Sequence, residues 1–212
     1  RRWKGSSVPS AKGEDRLSTN LSGDDPTYSF NDQSDTHPQQ VYLNWRTQAG
    51  GIAQPHPLMQ STNGASIEHI PDHPHEGECL IPSAKALLNA QIDYQRTKVD
   101  EWPVQTGRGR RVSPEVVALS MSHGDQFSFS GQTKEALVPR SFIAIAAYDG
   151  HRADVGRVVT DATWHHFVNI NIDGTGEADT PPVPRTGLMP GGVDTAEMLL
   201  LREHWVNLAT WL

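Results

Sequence analysis

A layered α/β domain is the fold this sequence predicts, on three observations. Short Ala-rich or β-branched runs bounded by Gly, Pro or Asp recur at residues 116–121, 142–148 and 157–162, and such runs read as strands. The middle one, Phe-Ile-Ala-Ile-Ala-Ala-Tyr, is continuously apolar, as expected of a strand covered on both faces. Finally, Met198, Leu201, Trp205, Leu208 and Leu212 recur at three- and four-residue spacing and mark one face of a closing helix. Buried strands with a helix packed on them make an α/β layer structure.

The bulk properties narrow the classes. The 212 residues suit one domain with an irregular extension, and 36% hydrophobic residues with 18 Gly and 15 Pro make much of it loop. Eighteen Lys and Arg against 25 Asp and Glu leave a net charge of −7, which argues against a nucleic acid or an anionic lipid surface as partner. One cysteine excludes a disulfide framework and a four-cysteine zinc module. No apolar stretch approaches the roughly 18 residues a membrane span needs. The chain starts at Arg1 without a signal-peptide pattern, and its apolar pattern runs on to Leu212 without a Gly or Pro stop. The expectation is a fragment or processed subunit, partnered by the remainder of a longer chain or a companion subunit. A natural terminus behind a processed leader is the equal alternative, and the compartment stays unassigned.

In chain order, residues 1–40 are Ser-, Asp-, Gly-, Asn- and Thr-rich with scattered aromatics, an irregular polar arm; residues 41–212 form the domain. Val41, Tyr42, Leu43 and Trp45 make a short apolar run before turns at Gly50-Gly51 and Pro55-His56-Pro57. A short strand over 67–70 leads into a ligand-dense loop, and Ser83 is placed to cap a short helix carrying Ala84, Ala86, Leu87 and Leu88. The polar stretch to Ser113 contains the basic patch Gly107-Arg-Gly-Arg-Arg111, which could hold a phosphate but in an acidic chain reads as an exposed turn. The last helix is expected from Thr195, with Asp194 as N-cap and Glu197 completing a capping box.

Ten histidines are the chemically loaded feature. In Asp72-His73-Pro74-His75-Glu76-Gly77-Glu78-Cys79 the proline favours extended backbone, so His73 and His75 project to one side and could bind a divalent metal, zinc or iron. Asp72 or Glu76 would be third ligand or orienter; carbohydrate hydrogen bonding or mutual satisfaction in a polar turn are the alternatives. Cys79 could complete a site or be a small buried residue. The second cluster is Tyr148-Asp149-Gly150-His151-Arg152 with Gly156-Arg-Val-Val-Thr-Asp-Ala-Thr-Trp-His-His-Phe167. Asp149, His151, Asp161, His165 and His166 fall just past predicted strand ends, where open α/β sheets bind ligands. Of two adjacent histidines usually one reaches a common site. Arg152 could take an anionic substrate group or pair with Asp149 or Asp154, and packing on Trp164 is the structural role open to the histidines there. His56, His69, His123 and His204 read as structural.

Residues 56–172 resemble the ThuA-like (trehalose-utilisation type) branch of the class I glutamine-amidotransferase-like superfamily, in particular bacterial members. The resemblance lies in His56-Pro57-Leu58 with Gly64, the Pro71-to-Gly77 loop, the Gly156-to-Phe167 segment, and the terminal Trp205-Val-Asn-Leu-Ala-Thr-Trp-Leu212. It implies a flavodoxin-like α/β sandwich, incomplete at its N-terminal side, and a link to sugar metabolism. Glutamine hydrolysis does not follow, because Cys79 is not on a Gly-x-Cys-x-Gly elbow and His165 is followed by His-Phe. The resulting expectation is a domain that acts on or binds a carbohydrate or similar polar small molecule, as a hydrolase or lyase if it is an enzyme. Glu76, Asp149 and His165 are its candidate catalytic groups, Arg152, Trp164 and His166 its ligand-binding groups, and His73, His75 and His151 its metal ligands. The alternative is a non-catalytic binding or assembly subunit of a larger complex.

Overall fold

The computed structural model describes residues 39–47, 49–70, 79, 81–82, 88–122, 126–129, 132–135, 140–161, 172, 188–189 and 192–212. Its strands, in order, are β1 (Gln39–Gln40), β2 (Tyr42–Leu43), β3 (Arg46–Thr47), β4 (Ala53–Gln54), β5 (His69–Ile70), β6 (Gln91–Tyr94) and β7 (Thr97–Asp100). There follow β8 (Glu115–Ser122), β9 (Gln126–Phe129), β10 (Gln132–Glu135), β11 (Arg140–Tyr148) and β12 (Val158–Asp161). One α-helix, α1 (Ala196–Trp211), and two 3-10 turns, Pro57–Met59 and Gly150–Ala153, complete the described elements.

The central sheet has the order β12-β11-β8-β2. β11 pairs with β8 from Arg140↔Ser122 to Ala147↔Glu115, with register shifts around Ile145, and with β12 from Ile145↔Asp161 to Tyr148↔Val158. The three strands expected at 116–121, 142–148 and 157–162 are therefore adjacent in one sheet. Residues 144–148 of β11 are all buried. Ile145 and Ala147 join the main core, Ala146 packs with Cys79, and Tyr148 packs with Trp102, so both faces are covered as the continuous apolar run implies. The main core gathers Val117 and Ala118 of β8, Leu58, Met59, Ile67 and Ile70 of the preceding loops and strands, and Met198 and Leu201 of α1. The chain is thus broadly α/β. Every described ladder is antiparallel, whereas parallel pairing needs long crossover connections.

Three local expectations change. The N-cap of α1 is Thr195, not Asp194: Thr195 is extended and its Oγ1 accepts from the Met198 amide at 3.1 Å. Asp194, one residue too early to reach those amides, instead accepts from Arg202 at 2.7 and 3.0 Å. The buried face of α1 uses Met198, Leu201 and His204, while Leu212 is exposed. The polar stretch before Ser113 contains a hairpin, β6 with β7, which its weak alternation concealed; Gln95 and Arg96 supply the two positive-φ residues of its turn. The arm over 1–38, the Ser83 helix start and His123 lie outside the described residues. Among the described residues no helix is long and apolar enough to cross a membrane.

Candidate functional site

The C-terminal end of β11 runs straight into the loop that carries three of the candidate residues. Asp149 precedes the 3-10 turn Gly150–Ala153, and the chain reverses through Asp154, at φ 57°, before β12. Gly150 is required here: a Cβ on it would lie 2.0 Å from the Gly156 carbonyl oxygen and 2.8 Å from Tyr148 and Val155 side-chain atoms. The Val155 amide donates to the Gly150 carbonyl at 3.0 Å, closing the loop on itself. The result is a short, tightly folded connection between two strands of the core sheet.

Asp149 does not pair with Arg152. Its Oδ1 accepts from Arg157 Nε at 2.8 Å, across the base of the loop. Arg157 also donates through a terminal nitrogen to the Trp211 carbonyl at 2.6 Å, and its guanidinium lies 4.7 Å from the Trp211 ring centroid. On the same ring His56 packs edge-on, at 5.2 Å between centroids. Beyond His56, its Nε2 is 3.6 Å from Glu115 Oε1, an oxygen that Arg46 approaches at 3.4 Å. Strand end, helix end and the first 3-10 turn are thus joined by one chain of charged and aromatic contacts.

His56 has a defined state in that chain. Its Nδ1 accepts from the Leu58 amide at 3.2 Å, capping the turn Pro57–Met59, so the proton of the neutral ring sits on Nε2. Burial, followed by the Arg46 charge, pushes its pKa down to about 4. The ring is neutral near pH 7 and has no basic nitrogen to offer. His204 is the complement: its Nδ1 lies 2.8 Å from the Leu58 carbonyl oxygen, which makes Nδ1 the donor, and burial lowers its pKa. Both are structural, as expected, and both hold Leu58.

His151 and Arg152 face outward on the second turn and are exposed. Arg152 is tied to a neighbouring hairpin that spans Val104 to Arg111, bridged at those two residues. The Thr106 amide donates to the Arg152 carbonyl at 3.3 Å, and the Thr106 hydroxyl donates to Asp154. Gln105 Oε1 accepts from Arg152 at 3.5 Å and from Arg110 Nε at 3.4 Å. The base of the hairpin is set by Arg111, which pairs with Asp100 at 2.8 Å and donates to the Trp102 carbonyl at 2.5 Å. That guanidinium holds the Asp100 carboxyl below its usual range.

The structure brings Asp149, His151 and Arg152 onto one short loop. Glu76, His73 and His75, and likewise Trp164, His165 and His166, lie outside the described residues. Among the described residues no three His, Cys, Asp or Glu are grouped to hold a metal ion. Cys79 is buried; its thiol lies 3.3 Å from both the Ala144 carbonyl and the Thr160 hydroxyl. Asp161, expected past a strand end, is the last residue of β12. Arg157, Gln105 and Thr106 join the loop in the structure without having been candidates from sequence. Arg157 carried a signal, an arginine directly after the glycine that opens the strand; Gln105 and Thr106 carried none, because their role exists only once the hairpin meets the loop.

No family model matches this chain, and no curated protein or solved structure matches it.

Proposed function

We propose that this chain is a ThuA-like domain that binds a carbohydrate or similar polar small molecule at the β11–β12 connection, with His151 and Arg152 as contact groups. The observation that carries the reading is the construction of that loop. Gly150, the Asp149–Arg157 ion pair and the Thr106 contacts hold it tightly, while its histidine and arginine remain exposed and usable. Rigid presentation of a few polar groups is what a polar ligand requires, since little ordering entropy is then lost on binding. In the fuller form of the proposal His73, His75, Glu76, Trp164, His165 and His166, which lie outside the described residues, contribute to the same site. A divalent metal, zinc or iron, would then be held by His73, His75 and His151. The four-stranded antiparallel sheet β12-β11-β8-β2 would continue into a flavodoxin-like sheet whose first strands a longer chain or companion subunit supplies.

Between catalysis and binding, the engagement of Asp149 favours binding. Its Oδ1 is engaged by Arg157 Nε at 2.8 Å across the base of the loop, so the carboxylate braces the loop that carries His151 and Arg152. That bracing role fits the non-catalytic, ligand-binding form of the domain.

Thermal-shift screening against mono- and disaccharides and their keto forms tests the reading, alongside elemental analysis of the purified chain. A stabilising shift that His151→Ala abolishes supports it; uniformly null shifts contradict it. Stoichiometric zinc or iron that is lost in His73→Ala and in His151→Ala supports the metal-bearing form, and its absence removes the metal.

A further inference from the structure

The hairpin beside the proposed site brings two arginines onto one neutral atom. Arg110 Nε and a terminal nitrogen of Arg152 both donate to Gln105 Oε1, at 3.4 and 3.5 Å, from segments more than forty residues apart in sequence. Both side chains are exposed, and among the described residues neither is paired with a carboxylate. Arg111, by contrast, is neutralised by Asp100 and anchors the hairpin base. The five residues from Gly107 to Arg111 therefore divide by role: Arg111 is structural, and Arg110 is presented.

Two guanidiniums sharing one amide oxygen repel each other, and that oxygen bears no charge to offset them. Among the described residues each also keeps most of its five N–H donors unused. An oxyanion placed between the two forks would supply both the charge and the acceptors, and Arg matches a tetrahedral or planar oxyanion bidentately. The supporting backbone is fixed beforehand by the Gln105 amide on the Arg110 carbonyl at 2.6 Å and the Thr106 amide on the Arg152 carbonyl. From this the geometry points to an oxyanion site, of phosphate or phosphate-ester class, formed by Arg110 and Arg152 with Gln105 as the spacer that sets them. It rests on the proposed function only where the anion is taken to be the phosphate of a sugar; the arginine pair itself stands apart from that reading.

Calorimetric titration of the full chain with inorganic phosphate at low ionic strength tests it, with a hexose phosphate and its parent hexose as parallel probes. The expected result is saturable one-site phosphate binding, weakened about tenfold or more in Arg110→Ala and in Arg152→Ala. Lys98→Ala, which removes one exposed charge from the neighbouring β6–β7 hairpin, leaves the affinity unchanged. Gln105→Glu keeps both arginines and places a carboxylate at the shared position, so it abolishes phosphate binding in a chain whose circular dichroism is unaltered. Phosphate binding with no gain for the hexose phosphate supports the arginine-pair site while the carbohydrate proposal fails. No phosphate binding, or the same loss in Lys98→Ala as in the arginine variants, overturns the proposal.

Discussion

Leu58 is held from two sides by two histidines, one accepting from its amide and the other donating to its carbonyl. Both rings are neutral because burial disfavours the imidazolium. On unfolding each returns to the ordinary value of 6.5, so the unfolded chain binds more protons at mildly acid pH. The contribution of His56 is thus fully present above pH 6.5 and is lost as pH falls toward about 4. Melting curves from pH 7.5 to 4.5 should show this as a falling Tm, with a shallower fall in His56→Asn, which keeps an acceptor for the Leu58 amide; an identical fall in both chains would refute the assignment. His204→Ala removes a buried ring and, among the described residues, leaves the Leu58 carbonyl with the longer side-chain contact to Asn207, at 3.4 Å. A loss of about 2–4 kcal/mol in denaturant unfolding is expected.

At the scale of the element, α1 is docked by polar side chains as much as by apolar ones. Besides His204, Asn207 donates to the Gln60 carbonyl at 2.7 Å, and Glu203 accepts from the Thr62 amide at 2.5 Å. Thr195→Ala should cost about 1 kcal/mol by removing the cap, while Asp194→Ala should cost less; the reverse order would restore Asp194 as the cap. The β11–β12 connection gives the sharper case. Gly150→Ala drives a methyl against the Gly156 carbonyl and should destabilise by about 3 kcal/mol or more, or displace the loop and with it His151 and Arg152.

Legibility from sequence also varied by element. The three core strands were readable because runs such as Phe142 to Tyr148 advertise burial in composition alone. The face of α1 was readable from spacing except at its ends, where Thr195 and Asp194 are both good caps and only backbone conformation decides. The β6–β7 hairpin was not, since Gln91–Tyr94 and Thr97–Asp100 are mostly exposed and carry little apolar alternation. The histidine roles divided similarly. The neighbours of His56 and His204 mark both as structural, but their meeting at Leu58 joins residues nearly 150 positions apart, which no local pattern encodes. The convergence of Arg110 and Arg152 on Gln105 was hidden for the same reason.

For the whole molecule, the sheet, α1 and the turn Pro57–Met59 share one core, so Leu201→Ala, at a fully buried position, should cost about 2–5 kcal/mol in a single cooperative transition. On that core the β11–β12 loop and the 104–111 hairpin form a braced polar surface on an otherwise acidic chain. It is the surface we propose for ligand binding. Backbone amide shift mapping during titration with hexoses, hexose phosphates and phosphate tests it most directly. Shifts concentrated at residues 104–111 and 149–157 are predicted; shifts concentrated elsewhere, or none at all, would contradict the account.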